Sequence, residues 1–176
     1  RVMSVSGWTH PRVTPADAGD TLYFDGRAEA WSWGSYARSW LGMMEETAWQ
    51  KLRKAEALGV PCDVFGSDMP RMAREELKQN IWAVRWFYHH LEKRGLCVRP
   101  PWSMVEHIGV DAMATNAAGS TEWDNQPLRT VPVGHWPTPA LNPACGPLWR
   151  RAFPGIWRQR WNRLRRRFAP GQDRLL

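Results

Sequence analysis

The chain has 176 residues, 43% of them hydrophobic, with 13 tryptophans and a net charge of +7. This length and apolar content allow one buried core and exclude a disordered protein, and the lack of any run of roughly 18 apolar residues argues against a membrane span. The three cysteines form no Cys-X-X-Cys pair, so neither a disulfide framework nor a zinc site is expected, in keeping with a reducing cytosol.

Short strands and loops are predicted at the start of the chain. Residues 2–6 have the pattern of a buried strand that ends at Gly7, and residues 21–24 form a second strand that Asp25-Gly26 closes. The chain begins inside a strand pattern and has no initiator Met, so we expect it to be a piece of a longer protein. Residues 30–36 are predicted to open a helix that runs to about residue 44, with Ser32 or Ser35 as its cap.

Helices are predicted in the middle of the chain. One spans about residues 45–58 and stops at Gly59, and a longer one starts at Pro70 and ends at Arg94, with a break near residues 79–80. Residues 96–99 and 104–108 have the composition of short strands. A long loop rich in Gly, Pro, Asn and Thr follows from residue 111 to about residue 147.

The end of the chain is basic and aromatic. From Trp149 onward, aromatic and aliphatic residues recur every three or four positions with Arg between them, and a regular helix is predicted to begin at Pro154. Residues 148–168 therefore suit an anionic membrane surface, while phosphate contacts with nucleic acid and a solvated helix packed on the body are the alternatives. Because no nucleic-acid motif accompanies the basic residues, nucleic acid is not an expected partner.

Several motifs follow one another in a fixed order, at residues 4–8, 27–36, 66–70, 80–86 and 96–115. In this order and at these distances they resemble the C-terminal half of family-2-like glycosyltransferases with the GT-A fold, in particular the bacterial group that builds surface polysaccharides. That family's pattern is a Ser-Gly-Tyr turn, a Trp-Gly-Trp-like helix start, a Ser-Trp-X-X-Arg-Trp-Tyr helix and an Asn-Ile-Gly-X-Asp turn followed by Gly-Ser-Gly-Thr. The resemblance covers about residues 1–118.

The chain departs from this pattern at several positions. Ile81 stands where the family has Ser before the helix Trp, His107 stands where it has Asn, and Ala112 and Ala114 replace the glycines of Gly-Ser-Gly-Thr. No Asp-X-Asp metal motif occurs in the chain. The resemblance therefore implies that the nucleotide-binding half and its metal motif lie upstream of Arg1, and that this chain alone is inactive.

The resemblance implies an α/β chain with a partial GT-A fold, a helix-rich acceptor-side half with short strands. Residues 1–118 would form the acceptor-side part of the glycosyltransferase domain, 119–147 a Pro/Gly-rich loop, and 148–176 a basic amphipathic helical tail. The complete enzyme would transfer a sugar, with inversion, from a nucleotide-sugar donor to a glycan or lipid-linked acceptor, using a divalent metal such as Mg or Mn.

On this interpretation the enzyme works in the cytoplasm, with a peripheral association at the inner membrane face. Two interpretations compete with it. One is a truncated, non-catalytic scaffold that serves as a binding module, and the other is a basic peripheral membrane-binding protein whose tryptophans are all structural. The region of the gene upstream of Arg1 discriminates best among the three.

Two aspartates are candidates for the group that removes the acceptor proton. Asp68 lies on a turn before a helix, where it could face a cleft or cap that helix. Asp111 lies at a predicted strand end, where site residues gather in α/β sheets, and it could equally contact the donor or form a turn. Asp25 is a third option.

Aromatic and polar residues of the same motifs are candidates for donor or acceptor binding. Trp8, Trp31, Trp33 and Tyr36 could stack on a sugar ring or pack in the core. Arg85 could pair with a diphosphate or with a buried carboxylate that orients its helix.

The last motif adds one candidate for donor or acceptor binding and one candidate metal or phosphate ligand. Thr115 stands at the end of the Ala112–Thr115 segment that replaces Gly-Ser-Gly-Thr, and the resemblance implies a donor or acceptor contact there. Asn116 occupies the place where related enzymes put a polar metal or phosphate ligand.

Overall fold

The computed structural model describes residues 1–106, 128–129 and 135–155. In these ranges the chain is a mixed α/β protein with one four-stranded sheet and four α-helices. The elements are β1 (Val2–Ser6), β2 (Tyr23–Asp25), β3 (Trp33–Ser35), α1 (Ala48–Ala57), α2 (Met69–Glu75), α3 (Trp82–Glu92), β4 (Leu96–Arg99) and α4 (Cys145–Ala152). None of the helices in this part of the chain has the length and apolarity that a membrane crossing requires.

The sheet has the order β2-β4-β1-β3 and mixes both kinds of pairing. The central strands β1 and β4 are parallel, while β2 and β3 pair antiparallel with them at the two edges. Three helices lie between β1 and β4 in the sequence, which is the kind of long crossover that parallel strands need. The carboxyl ends of β1 and β4 therefore meet at one edge, where the Gly7 amide donates to the Ser32 carbonyl and the Gly7 carbonyl accepts from the Met104 amide, both at 2.8 Å.

The ends of helix α1 are set by a capping box at its start and a glycine after its last turn. The Thr47 hydroxyl accepts from the Gln50 amide and the Gln50 side chain accepts from the Thr47 amide, which together form a capping box. Gly59 follows the helix with φ of 76°, a conformation that glycine adopts without strain. The predicted helix at residues 45–58 is confirmed with a slightly later start.

The main core lies mostly among the helices, with Tyr23 of β2 at its border. Helix α1 contributes Leu52, helix α3 contributes Phe87 and Leu91, and helix α4 contributes Trp149, with Phe153 just after it. Trp149 is fully buried, so the first residues of the predicted basic tail pack into the body of the protein. Helix α4 also crosses the boundary drawn at residue 147 and ends before Pro154, earlier than the predicted helix start.

The predicted helix at residues 30–44 is wrong. Residues Trp33–Ser35 form β3, in which Trp33 pairs with Ser6, and a short 3-10 turn follows at Ala37–Trp40. Ser32 has φ of 43°, so the backbone cannot continue a right-handed helix there. Pairing with β1 is a long-range contact, and it overrides the local preference.

The remaining predictions for the elements have mixed outcomes. The strand at 96–99 is confirmed, and the break near residues 79–80 separates α2 from α3 as predicted. Residues 104–106 are not in a strand, while 107 and 108 lie outside the described residues.

Replacing Trp86 tests whether this buried indole holds α3 on the sheet. Trp86 is 0% exposed, whereas Trp136 is 66% exposed. We expect Trp86→Ala to lower the free energy of unfolding by about 3–5 kcal/mol, because it leaves a large cavity. The matched control Trp136→Ala should change it by less than about 0.5 kcal/mol. Denaturant titration measures both, and equal effects would contradict the packing described.

Candidate functional site

Five charged side chains meet beside the neighbouring strands β2 and β4, and we call them the charged cluster: Asp25, Arg27, Glu29, Asp68 and Arg99. Arg99 and Asp25 are both 0% exposed and Arg27 is 4% exposed. Charges buried this deeply are stable only when they are paired and hydrogen-bonded, so their partners define the geometry of the site.

Asp25 and Arg99 form the innermost pair of the charged cluster. The Arg99 Nε lies 3.1 Å from Asp25 Oδ2, which also accepts a hydrogen bond of 2.8 Å from the indole Nε1 of Trp149. The second oxygen, Asp25 Oδ1, accepts from the Arg27 amide at 2.9 Å. Arg99 further donates to the carbonyl of Trp8 at 3.1 Å. Both oxygens of Asp25 are thus occupied, which makes Asp25 a structural group.

Arg27 links the inner pair to the outer carboxylates. Its Nη1 and Nη2 donate to the two oxygens of Asp68 at 3.2 and 3.0 Å, and its Nε donates to Glu29 Oε1 at 2.9 Å. The guanidinium carbon lies 4.1 Å from the ring centroid of Trp149 and 5.0 Å from that of Phe153. Arg27 is therefore fixed by two carboxylates in its plane and by aromatic rings over it.

Glu29 is the least saturated carboxylate of the charged cluster. Its side chain is 12% exposed, and its Oε1 accepts from Arg27 and lies 4.0 Å from Arg99 Nη2. Its Oε2 has no hydrogen-bond partner among the described residues. Burial raises the pKa of Glu29 above its ordinary value, and the opposing charges of Arg27 and Arg99 offset only part of that effect.

Asp68 does not use its side chain as a cap. It occupies the N-cap position of α2, yet its carboxylate makes no capping hydrogen bond in the described part of the chain and pairs with Arg27. The capping alternative for this side chain is therefore wrong. Its assignment as a catalytic base stays a prediction.

Four indoles form a second group, which we call the tryptophan cluster: Trp33, Trp40, Trp82 and Trp86. Trp40 stacks on the buried Trp86 at 4.9 Å and 20°, and Trp33 lies 5.3 Å from Trp86 and 5.8 Å from Trp82. Trp40 and Trp82 are each 37% exposed. The cluster therefore presents aromatic surface to solvent above the buried indole of Trp86.

Polar side chains flank the tryptophans of this cluster in the sequence. Arg85 forms an ion pair with Glu76, whose other oxygen accepts from the Ala48 amide at 3.2 Å. The alternative in which Arg85 pairs with a buried carboxylate is thus the arrangement present, and it ties α3 to α2 and α1. Tyr36 is exposed, and the Arg38 guanidinium carbon lies 4.6 Å from its ring centroid.

The other candidate residues fall into two groups. Trp8 is 1% exposed and meets the half-buried Trp31 edge-on at 4.6 Å, so Trp8 packs in the interior at the edge where β1 and β4 end. Asp111, Thr115 and Asn116 lie outside the described residues, as does most of the predicted membrane-binding segment, residues 156–168.

The described residues offer no ligand set for a metal. Within residues 1–106, 128–129 and 135–155, no three His, Cys, Asp or Glu side chains are grouped so that they could hold an ion. These residues therefore do not fit a divalent-metal site.

Sequence reasoning missed Arg27, Glu29, Arg99 and Trp149 as parts of the site. A signal was present, because Asp25, Arg27 and Glu29 alternate along an otherwise apolar stretch, and alternate residues of an extended chain point to the same side. Trp149 carried no such signal. Its hydrogen bond to Asp25 spans 124 positions of the sequence.

Comparison of the chain with protein-family models, with curated proteins and with solved structures finds no match.

Replacing Asp25 tests the inner pair. We expect Asp25→Asn to lower the free energy of unfolding by about 3–5 kcal/mol, because it leaves the buried charge of Arg99 uncompensated. Asp20 is the matched control, since it is 83% exposed and lies 3.8 Å from the exposed Arg129. Asp20→Asn should change the stability by less than about 0.5 kcal/mol. Equal effects in denaturant titrations would show that the inner pair does not support the fold.

Proposed function

We propose that this chain is the acceptor-side portion of a GT-A glycosyltransferase that transfers a sugar from a nucleotide-sugar donor to a glycan or lipid-linked acceptor. The motif order described above supports the proposal. So does the mixed α/β architecture, with its candidate site beside the carboxyl ends of two parallel strands.

The observation that carries the proposal is a partly exposed aromatic surface and an accessible carboxylate that lie only four positions apart in the chain, at Trp33 and Glu29. The chain from Glu29 to Trp33 spans four residues, so their Cα atoms are at most about 14 Å apart. That is on the order of the length of a disaccharide. An acceptor sugar resting on the tryptophan cluster could therefore direct a hydroxyl toward the charged cluster.

The tryptophan cluster has the chemistry that a sugar ring requires. One face of a pyranose is lined by C–H groups, which carry partial positive charge and pack on the electron-rich face of an indole. The hydroxyls around the ring need hydrogen-bonding groups at the border of that surface. Tyr36 and Arg38 precede Trp40 by four and two positions, and Arg85 follows Trp82 by three, so side chains that carry such groups lie on the same segments of the chain as the exposed indoles.

The reaction places two demands on this side of the enzyme. The acceptor oxygen attacks the anomeric carbon from the face opposite the leaving diphosphate, so the acceptor must be held in one orientation. Its hydroxyl proton must pass to a carboxylate as the new bond forms. The charged cluster holds two carboxylates on one arginine that solvent can reach, Glu29 and Asp68.

Sugar transfer by the full-length gene product, including the region upstream of Arg1, tests the proposal. We expect turnover of a UDP- or GDP-sugar in the presence of a glycan or lipid-linked acceptor. If that product turns over no nucleotide sugar but still binds glycans, the protein is a binding module. If it binds only anionic vesicles, it is a peripheral membrane protein.

Replacing the exposed tryptophans tests their role in acceptor binding. We expect Trp40→Ala and Trp82→Ala each to raise the acceptor KM about two- to tenfold, because an aromatic contact contributes about 0.5–1.5 kcal/mol. The donor KM should not change. Trp136→Ala removes an even more exposed indole outside the tryptophan cluster and is the control. An unchanged acceptor KM in both cluster variants would contradict the assignment.

A further inference from the structure

We propose that Glu29, rather than Asp68, accepts the proton of the acceptor hydroxyl, and that Asp68 is a positioning residue acting through Arg27. This inference rests on the proposed function. It concerns a residue that the sequence motifs did not single out, and it follows from how the two carboxylates share Arg27.

Asp68 is poorly placed to take a proton. Both of its oxygens accept hydrogen bonds from Arg27, at 3.2 and 3.0 Å, in a two-pronged arrangement. Such a pair stabilises the ionised carboxylate and occupies the lone pairs that face the arginine. Protonation of Asp68 would disrupt this pairing at the moment of reaction.

Glu29 has the capacity that Asp68 lacks. Arg27 Nε holds only Oε1, at 2.9 Å, and this contact fixes the direction of the carboxylate. Oε2 is left without a partner in the described part of the chain. A carboxylate held by one oxygen and open at the other is preorganised to accept a proton.

The surroundings of Glu29 also favour proton uptake. Four charged groups face it: Arg27, Arg99, Asp25 and Asp68. The two arginines favour the ionised form and the two aspartates oppose it, while burial has the largest effect and raises the Glu29 pKa above its ordinary value of 4.5. A base with a raised pKa drives proton transfer better than an ordinary carboxylate.

The proposed step moves a sugar to the acceptor oxygen and a proton to Glu29. The acceptor oxygen forms a bond to the anomeric carbon, and the bond from that carbon to the diphosphate oxygen breaks, its electron pair leaving on the diphosphate. The hydroxyl proton passes to Glu29 Oε2. The product is a glycoside of inverted configuration, together with a nucleoside diphosphate and a protonated Glu29 that later loses its proton to water.

Three variants of the full-length gene product test this step. Glu29→Gln keeps an oxygen that can accept from Arg27 but cannot take a proton, and Asp68→Asn keeps one oxygen for Arg27. Glu92→Gln is the matched control, because the Glu92 side chain is 13% exposed and pairs with Lys51 at 3.6 Å, outside the charged cluster. Thermal melting of each variant checks that the fold is retained.

We expect Glu29→Gln to lower kcat by about 10²–10⁴-fold with little change in the acceptor KM, since only the proton transfer is lost. The wild-type rate should fall as the pH drops through the Glu29 pKa, because a base must be ionised to act. This acidic limb should lie above pH 4.5, the ordinary value for Glu, and should disappear in Glu29→Gln. Asp68→Asn should cause a smaller loss and keep the acidic limb.

The outcomes distinguish a failure of the Glu29 assignment from a failure of the proposed function. A folded Glu29→Gln variant that turns over like wild type, or that keeps the acidic limb, overturns the role of Glu29 and leaves the proposed function standing. Loss of that limb in Asp68→Asn alone returns the role to Asp68. A wild-type enzyme that turns over no nucleotide sugar overturns the proposed function, and the role of Glu29 falls with it.

Discussion

The buried ion pair between Asp25 and Arg99 is the contact on which the other features of the site depend. Asp25 ends β2 and Arg99 ends β4, and neither side chain is exposed to solvent. The same aspartate accepts a hydrogen bond from Trp149, so α4 is fastened to the sheet through the pair. A buried ion pair recovers its desolvation cost only when further hydrogen bonds satisfy both groups. The Arg27 amide and the Trp8 carbonyl supply those bonds and thereby fix the chain on either side.

The position of Arg27 follows from this arrangement. Its amide is held by Asp25, and its guanidinium lies over the ring of Trp149, which Asp25 also holds. Because both ends of the arginine are fixed, the two outer carboxylates have defined places, with Asp68 paired through both oxygens and Glu29 through one. The proposed division of roles between these carboxylates is thus a consequence of the interior pairing.

Much of the local structure was predictable from the sequence. The strand at residues 2–6, the helix that Thr47 and Gln50 cap, and the break before α3 were all anticipated, because apolar spacing and capping chemistry act over a few residues. The helix expected at residues 30–44 failed because Trp33 pairs with Ser6 across the sheet. Of the candidate site, the sequence motifs named Asp68 and Trp33, whereas Glu29, Arg27, Trp40 and Trp82 were passed over as site residues.

The tryptophans show which properties are local and which depend on the tertiary structure. The sequence alone establishes that indoles are abundant and that Trp82 and Trp86 lie one helical turn apart, because helical spacing is a local property. It cannot establish that Trp86 is fully buried while Trp82 and Trp40 keep 37% of their surface exposed. That depends on β3, in which Trp33 pairs with Ser6 of β1 and contacts Trp86 of α3. Likewise, Arg27 and Asp68 are 41 positions apart in the sequence and are brought together by packing. The tertiary structure therefore determines that Asp68 pairs through both oxygens while one oxygen of Glu29 has no partner among the described residues.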